Sequence, residues 1–153
     1  MYSPRNLDRF RVLASSYDKR GNGLMIQRLV DEDGTGSLAY AAAGGRVDVC
    51  RNLLEELNLY VDVKDNHGLT PLCYGAVKGH LDTVEYLLEQ GANPDGSDDP
   101  NSTTNTPLHY AVLGVFWSIG RLRLMAYLLP HRGKQFNARN PKDTDIVTFK
   151  SLM

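Results

Sequence analysis

The sequence predicts an all-α solenoid, built from pairs of short antiparallel helices stacked on copies of themselves. Three observations carry this. Leu38, Leu72 and Leu108 share one slot at spacings of 34 and 36 residues, and Val147 continues the series at 39. Leu53-Leu54, Leu87-Leu88 and Leu128-Leu129 share a second slot. The apolar stretches around both slots have helical periodicity but are each too short to stand alone, so stacking on neighbouring copies is the natural way to bury them.

Taken in order, Leu7 to Tyr17 reads as a helix whose apolar face (Leu7, Phe10, Val12, Leu13 and Ala14) caps the N-terminal end of the stack. Asp18 to Gly23 is a polar loop, and Leu24 to Val30 leads into the first copy. The helix pairs are expected over 37–59, 71–90 and 107–130. The middle pair shows the logic most clearly. Gly68 suits a turn that needs positive φ. Thr70 is placed to accept a backbone N–H as N-cap, and Pro71 follows at the first helical position. Leu72, Gly75 and Ala76 make one apolar face, and Gly79 ends the helix. Leu81, Val84, Leu87 and Leu88 make the next face, with Gly91 as the stop. Asp95 to Asn105 reads as a polar, exposed and mobile connection.

The run D-N-H-G-L-T-P-L-C-Y-G-A-V-K-G-H-L-D-T-V-E-Y-L-L-E-Q-G-A-N, Asp65 to Asn93, resembles one ankyrin repeat at nearly every defining position. A first copy starts at Asp31, with Gly36-Ser37 in place of Thr-Pro. A third carries Thr106-Pro107-Leu108-His109-Tyr110-Ala111, then departs around Val115-Phe116-Trp117-Ser118-Ile119. Asn140 to Val147 resembles the start of a fourth, with Asp143 where glycine is expected. The resemblance divides the chain into a capping helix and linker (1–30), repeats at 31–64, 65–98 and 99–139, and a partial repeat or tail (140–153). It implies β-turn or hairpin tips between the helix pairs. The wording of the first two copies is similar to plant, especially cereal-grass, ankyrin proteins, many of which carry a C-terminal tetratricopeptide module that this sequence lacks.

Length and composition fit one domain of three to four repeats with caps. Hydrophobic content of 42% is ordinary for a globular chain. No apolar run reaches membrane-spanning length, and the first residues lack a signal peptide's apolar core. The expectation is therefore an intracellular chain, cytoplasmic or alternatively nuclear, with no membrane partner. Charge is uneven. Residues 1–30 carry net +4, residues 31–100 carry −10, and residues 101–153 carry +5. The acidic centre suits a basic protein partner; its plain alternative is a solvated surface that keeps the solenoid soluble. The C-terminal basic cluster (Arg121, Arg123, Arg132, Lys134, Arg139 and Lys142) lacks interleaved aromatics, so nucleic acid is not expected.

Motifs with chemistry are few. Asp31, Asp33, Thr35 and Gly36 match the opening of a calcium loop, but its twelfth position is Ala42 rather than glutamate. Cys50 falls at the slot of Val84, and Cys73 at the slot of His109; no base is paired with either thiol. The histidines have no zinc spacing, and the resemblance gives His80 and His109 a structural hydrogen-bonding role. Asn101-Ser102-Thr103 is a glycosylation sequon that needs a secretory context. No enzyme, metal or cofactor is expected.

The resemblance implies a non-catalytic scaffold that binds a protein through its concave face. Its tips are Glu32, Asp33 and Thr35; Asn66, His67 and Leu69; and Ser102, Thr103 and Asn105. Val77 and Lys78 lie on a first helix, and Tyr40, Tyr74 and Tyr110 repeat at one slot, either as contact area or as packing between repeats. Phe116 and Trp117 read as an exposed anchor, a buried extension of the third repeat, or a degenerative accident. A monomer is expected. The alternative function is a truncated or degenerate fragment of a larger ankyrin–tetratricopeptide adaptor.

Overall fold

The computed structural model describes residues 12–13, 16, 24–96, 105–113 and 127–128 of the chain. From residue 24 onward it contains α1 (Leu24–Gln27), α2 (Ser37–Ala43), α3 (Val47–Arg51), α4 (Pro71–Lys78), α5 (Leu81–Glu89) and α6 (Pro107–Leu113). Helices α2, α4 and α6 stack side by side as one layer. Helices α3 and α5 form a second layer, each packed on the first helix of its own pair. Helices α2 to α5 fall within the expected spans 37–59 and 71–90, and α6 begins at Pro107 as expected; the helical turn α1 is not anticipated by the sequence. The recurrent slots are the core: Leu38, Leu72 and Leu108, with Leu53, Leu87 and Leu128, are each at most 1% exposed.

Gly75, in the middle of α4, shows why a small residue is needed between layers. A Cβ there would lie 3.3 Å from Val84 Cγ2 on α5. Gly79 ends α4 at φ +79°, a conformation that costs glycine little. The start of α4 differs from expectation. Thr70 occupies the N-cap position in an extended conformation, but its hydroxyl makes no capping bond. It donates instead to Cys73 Sγ at 3.5 Å. The equivalent α6 start does use its threonine. The His109 N–H donates to Thr106 Oγ1 at 3.4 Å, and His109 Nδ1 accepts from the Thr106 N–H at 3.2 Å, a reciprocal cap in which histidine replaces the usual glutamate.

Helix α3 runs directly into a turn of π-helix, Asn52–Glu56. The Leu57 N–H bonds to Asn52 O, and the Leu59 N–H bonds to Leu53 O. In the next pair the corresponding closing bond is Ala92 N–H to Leu87 O. Leu53 and Leu87 match at a spacing of 34 residues, whereas Leu59 and Ala92 match at 33. The first pair therefore holds one extra residue, and the wide turn absorbs it. Asn58, at φ +52°, takes the left-handed position that Gly91 holds at φ +87°.

Long-range ties, two of them at the helix ends, lock the first pair to the second. His80 Nε2 meets the Ala43 carbonyl at 3.0 Å. The Asp62 carboxylate accepts the Asn93 N–H at 3.0 and 3.1 Å. Two sequence expectations need correction. Val12 and Leu13 are helical but 69% and 59% exposed, so these two do not bury into a capping interface. Asp95 and Gly96, read as part of an exposed connection, are buried; a Cβ on Gly96 would approach Pro107 Cδ at 3.2 Å. The remainder of the N-terminal helix, residues 97–104, the Phe116-Trp117 insertion and the expected fourth repeat lie outside the described residues.

Candidate protein-binding face

Two hairpin tips are built from the same hydrogen bonds, 34 residues apart. In the first, the Asp31 N–H bonds to Thr35 O, and the Gly34 N–H bonds to Asp31 O. In the second, Asp65, Leu69 and Gly68 repeat the pattern. Glycine is required at the tip because Gly34 and Gly68 both sit at φ +78°. A single antiparallel bridge, Val30 to Gly36, closes the first tip, and no longer strand forms among the described residues.

One carboxylate organises each tip. Asp31 Oδ1 accepts the N–H groups of Asp33 and Thr35, while Oδ2 accepts the Tyr40 hydroxyl. Asp65 Oδ1 accepts the N–H groups of His67 and Leu69, and Oδ2 accepts the Tyr74 hydroxyl at 2.7 Å. The Tyr40 hydroxyl, then the Thr35 N–H, hold the Asp31 carboxyl below its usual range. In return Asp31 pushes the Tyr40 phenol up. The Asp31 carboxylate, which the sequence likens to the first position of a calcium loop, serves here as the acceptor that organises the tip. The aspartate nine residues before each tyrosine is the signal that sequence reasoning missed; Tyr110 has Asn101 at that distance.

Neighbouring tips are joined. The Asn66 N–H donates to Asp33 O at 2.9 Å, and the Asn66 side-chain amide donates to Glu32 O at 3.3 Å. His67 Nε2 lies 3.5 Å from Asp33 Oδ1. Glu32, Asp33, Asn66, His67 and Lys78 are exposed, as expected of contact residues. Thr35 is placed differently. It is 5% exposed, and its hydroxyl meets the Tyr74 hydroxyl at 3.2 Å, so it joins two repeats rather than facing solvent. Leu69, Val77 and Asn105 are half-buried, and Ser102 and Thr103 lie outside the described residues.

Exposure differs along the tyrosine slot. Tyr40 is 58% exposed, whereas Tyr74 and Tyr110 are half-buried. Tyr74 reaches Asp65 on its own tip and Thr35 on the previous one. The Tyr110 phenol is pushed up mainly by burial. The Tyr40 and Tyr74 hydroxyls are thus tethered toward their tips. Leu69, Cys73, Tyr74, Val77 and Tyr110 line an apolar groove of about 50 Å³ between α4 and α6.

Nothing in this face resembles a nucleophile with its base. Cys50 and Cys73 are buried. Burial, with the Asp48 charge behind it, pushes the Cys50 thiol up to about 12, and burial also raises Cys73. His80 and His109 are committed to Ala43 and Thr106. Among the described residues no three metal-ligating side chains converge, and no helix is long and apolar enough to cross a membrane.

Stacked helix pairs, glycine-turned tips and first-helix tyrosines form a repeating unit that comparison with known proteins identifies. A family model described as ankyrin repeats (3 copies) matches residues 13–98, more than half the chain, and one described as ankyrin repeat matches residues 104–141. The chain belongs to the ankyrin repeat family. Such repeats generally mediate protein–protein interaction and are typically non-catalytic. The human transient receptor potential cation channel subfamily A member 1 is 34% identical over 108 residues, covering 70% of this chain and 9% of that protein. The ankyrin repeat protein nuc-2 of Neurospora crassa is 32% identical over 104 residues, covering 68% of this chain and 9% of its own length. Human ankyrin repeat domain-containing protein 49 is 36% identical over 67 residues, covering 44% of this chain and 28% of the relative. The chain therefore spans less than a third of each of these relatives.

Proposed function

We propose that this chain is a non-catalytic protein-binding module whose contact face comprises the hairpin tips and the exposed edge of the first helices. The observation that carries the reading is the doubled tip. Asp31 and Asp65 each fix a glycine turn and a tyrosine at the same 34-residue interval, and Asn66 fuses one tip to the next. This scaffold presents Glu32, Asp33, Tyr40, Asn66, His67 and Lys78 on a backbone with little freedom left to lose on binding, which favours affinity. The net charge of −10 over residues 31–100 favours a basic partner and salt-dependent association. The chain acts as a monomer inside the cell. Were it joined to a tetratricopeptide module, as its sequence resemblance to plant ankyrin proteins suggests, it would supply the client-binding part of an adaptor.

The test is paired affinity capture from extracts of the source cells. The bait is the wild-type chain, a tip variant (Glu32→Lys with Asp33→Lys) or a control altered on α5 (Asp82→Lys with Glu89→Lys). Proteins held by the wild type and the control but lost by the tip variant support the face. Equal capture by the wild type and the tip variant contradicts it.

A further inference from the structure

The groove between α4 and α6 is walled by Tyr74 and Tyr110, which stand on successive first helices. Tyr74 is tied by its hydroxyl to Asp65 Oδ2 at 2.7 Å and meets Thr35 Oγ1 at 3.2 Å. Tyr110, half-buried, forms the facing wall. Leu69 and Val77 supply the remaining apolar walls, and the buried Cys73, a neutral thiol, lies at the base. At about 10–15 Å³ per water-sized group, the groove of about 50 Å³ admits the branched end of an aliphatic side chain.

The charges beside it are lopsided. The tips on one side carry Asp31, Glu32, Asp33 and Asp65, and the exposed Lys78 follows Val77 on α4. His67 lies against Asp33 and accounts for only one of the four acids. An occupant with positive charge on its tip-facing side is steered in, and one with negative charge is repelled.

We propose that the groove between α4 and α6 is an anchor site for one aliphatic side chain (Leu, Ile or Val) of an extended protein segment, with Lys or Arg beside it facing the hairpin tips. This rests on the binding-face reading above and assigns the chemistry of the partner. The groove reads the aliphatic group by shape, and the tips read the adjacent cation.

The experiment is selection of a random twelve-residue peptide library on the full chain, with parallel selection on Val77→Arg and Leu69→Arg. Circular-dichroism melts check that each variant is folded. Two variants on different elements guard against a failure of one to fold. The expected result is enrichment of an aliphatic residue next to Lys or Arg, lost on the variants. Replacing that residue by Ala in the selected peptide should weaken wild-type binding about tenfold. Enriched peptides that are acidic or lack a shared aliphatic position, peptides bound equally by the folded variants, or no enrichment at all would overturn the proposal. The two readings fail separately. If no anchor motif emerges while capture still depends on Glu32 and Asp33, the binding face stands and the groove is not its anchor. If capture is also indifferent to those acids, both fall.

Discussion

Asp31 and Asp65 each do what two or three residues do in an ordinary turn. Each satisfies two N–H donors of its tip and one tyrosine hydroxyl on the following helix. Asp65→Ala should cost about 1–3 kcal/mol, because it strands those donors; a urea melt measures it. For Asp31 the consequence appears on acidification. Its folded pKa lies below the ordinary 3.8, so its contribution is present above that value and is lost as pH falls through the lowered one. The stability gap between wild type and Asp31→Asn should therefore be constant near neutrality and close as pH falls through that range. Tyr86 shows the opposite sign. Burial, then a hydrogen bond to Glu55 at 3.0 Å, pushes its phenol up to about 12. Its contribution is present below the ordinary 10 and is lost as pH rises toward 12, so Tyr86→Phe should flatten that alkaline loss.

At the scale of elements, much of the architecture was legible because helices here are punctuated by residues with few alternatives. Pro71 and Pro107 open helices, Gly79 closes one, and the leucine slots fix which faces meet. Three features were not legible, each for a physical reason. The π-turn at Asn52–Glu56 was hidden because the leucine slots keep a 34-residue spacing and the extra residue enters after them. Thr70 looked like a cap by position, but a thiol three residues on accepts its hydroxyl instead. Thr35 looked like a tip residue, yet its hydroxyl is drawn inward by Tyr74, a partner 39 residues away. The π-turn makes its own prediction. Asn58 sits at φ +52°, so Asn58→Val should cost about 1–2 kcal/mol while Asn58→Gly is tolerated. Gly45 tests the tie between pairs. It sits at φ +67°, and a Cβ would lie 2.7 Å from His80 Nδ1. Gly45→Ala should cost about 1–3 kcal/mol and loosen the bond from His80 to Ala43; amide exchange across the α4–α5 junction would show it.

At the scale of the molecule, stability rests on contacts between neighbours, as in other stacked repeats. Helix α4 is central, touching α2, α5 and α6. Leu72→Ala should therefore cost about 2–5 kcal/mol and lower the whole melting transition. The same rigidity underlies the proposed function, because a face assembled from fused tips reaches a partner already shaped. Which face a partner touches is the central claim, and site-specific photo-crosslinking in source-cell extract tests it most directly. A photoreactive side chain is placed at Asn66 on a tip or, as the comparison, at Asp82 on α5; both positions are exposed. The account predicts a discrete protein adduct from position 66 and none from position 82. An adduct from position 82 with none from position 66 would contradict it.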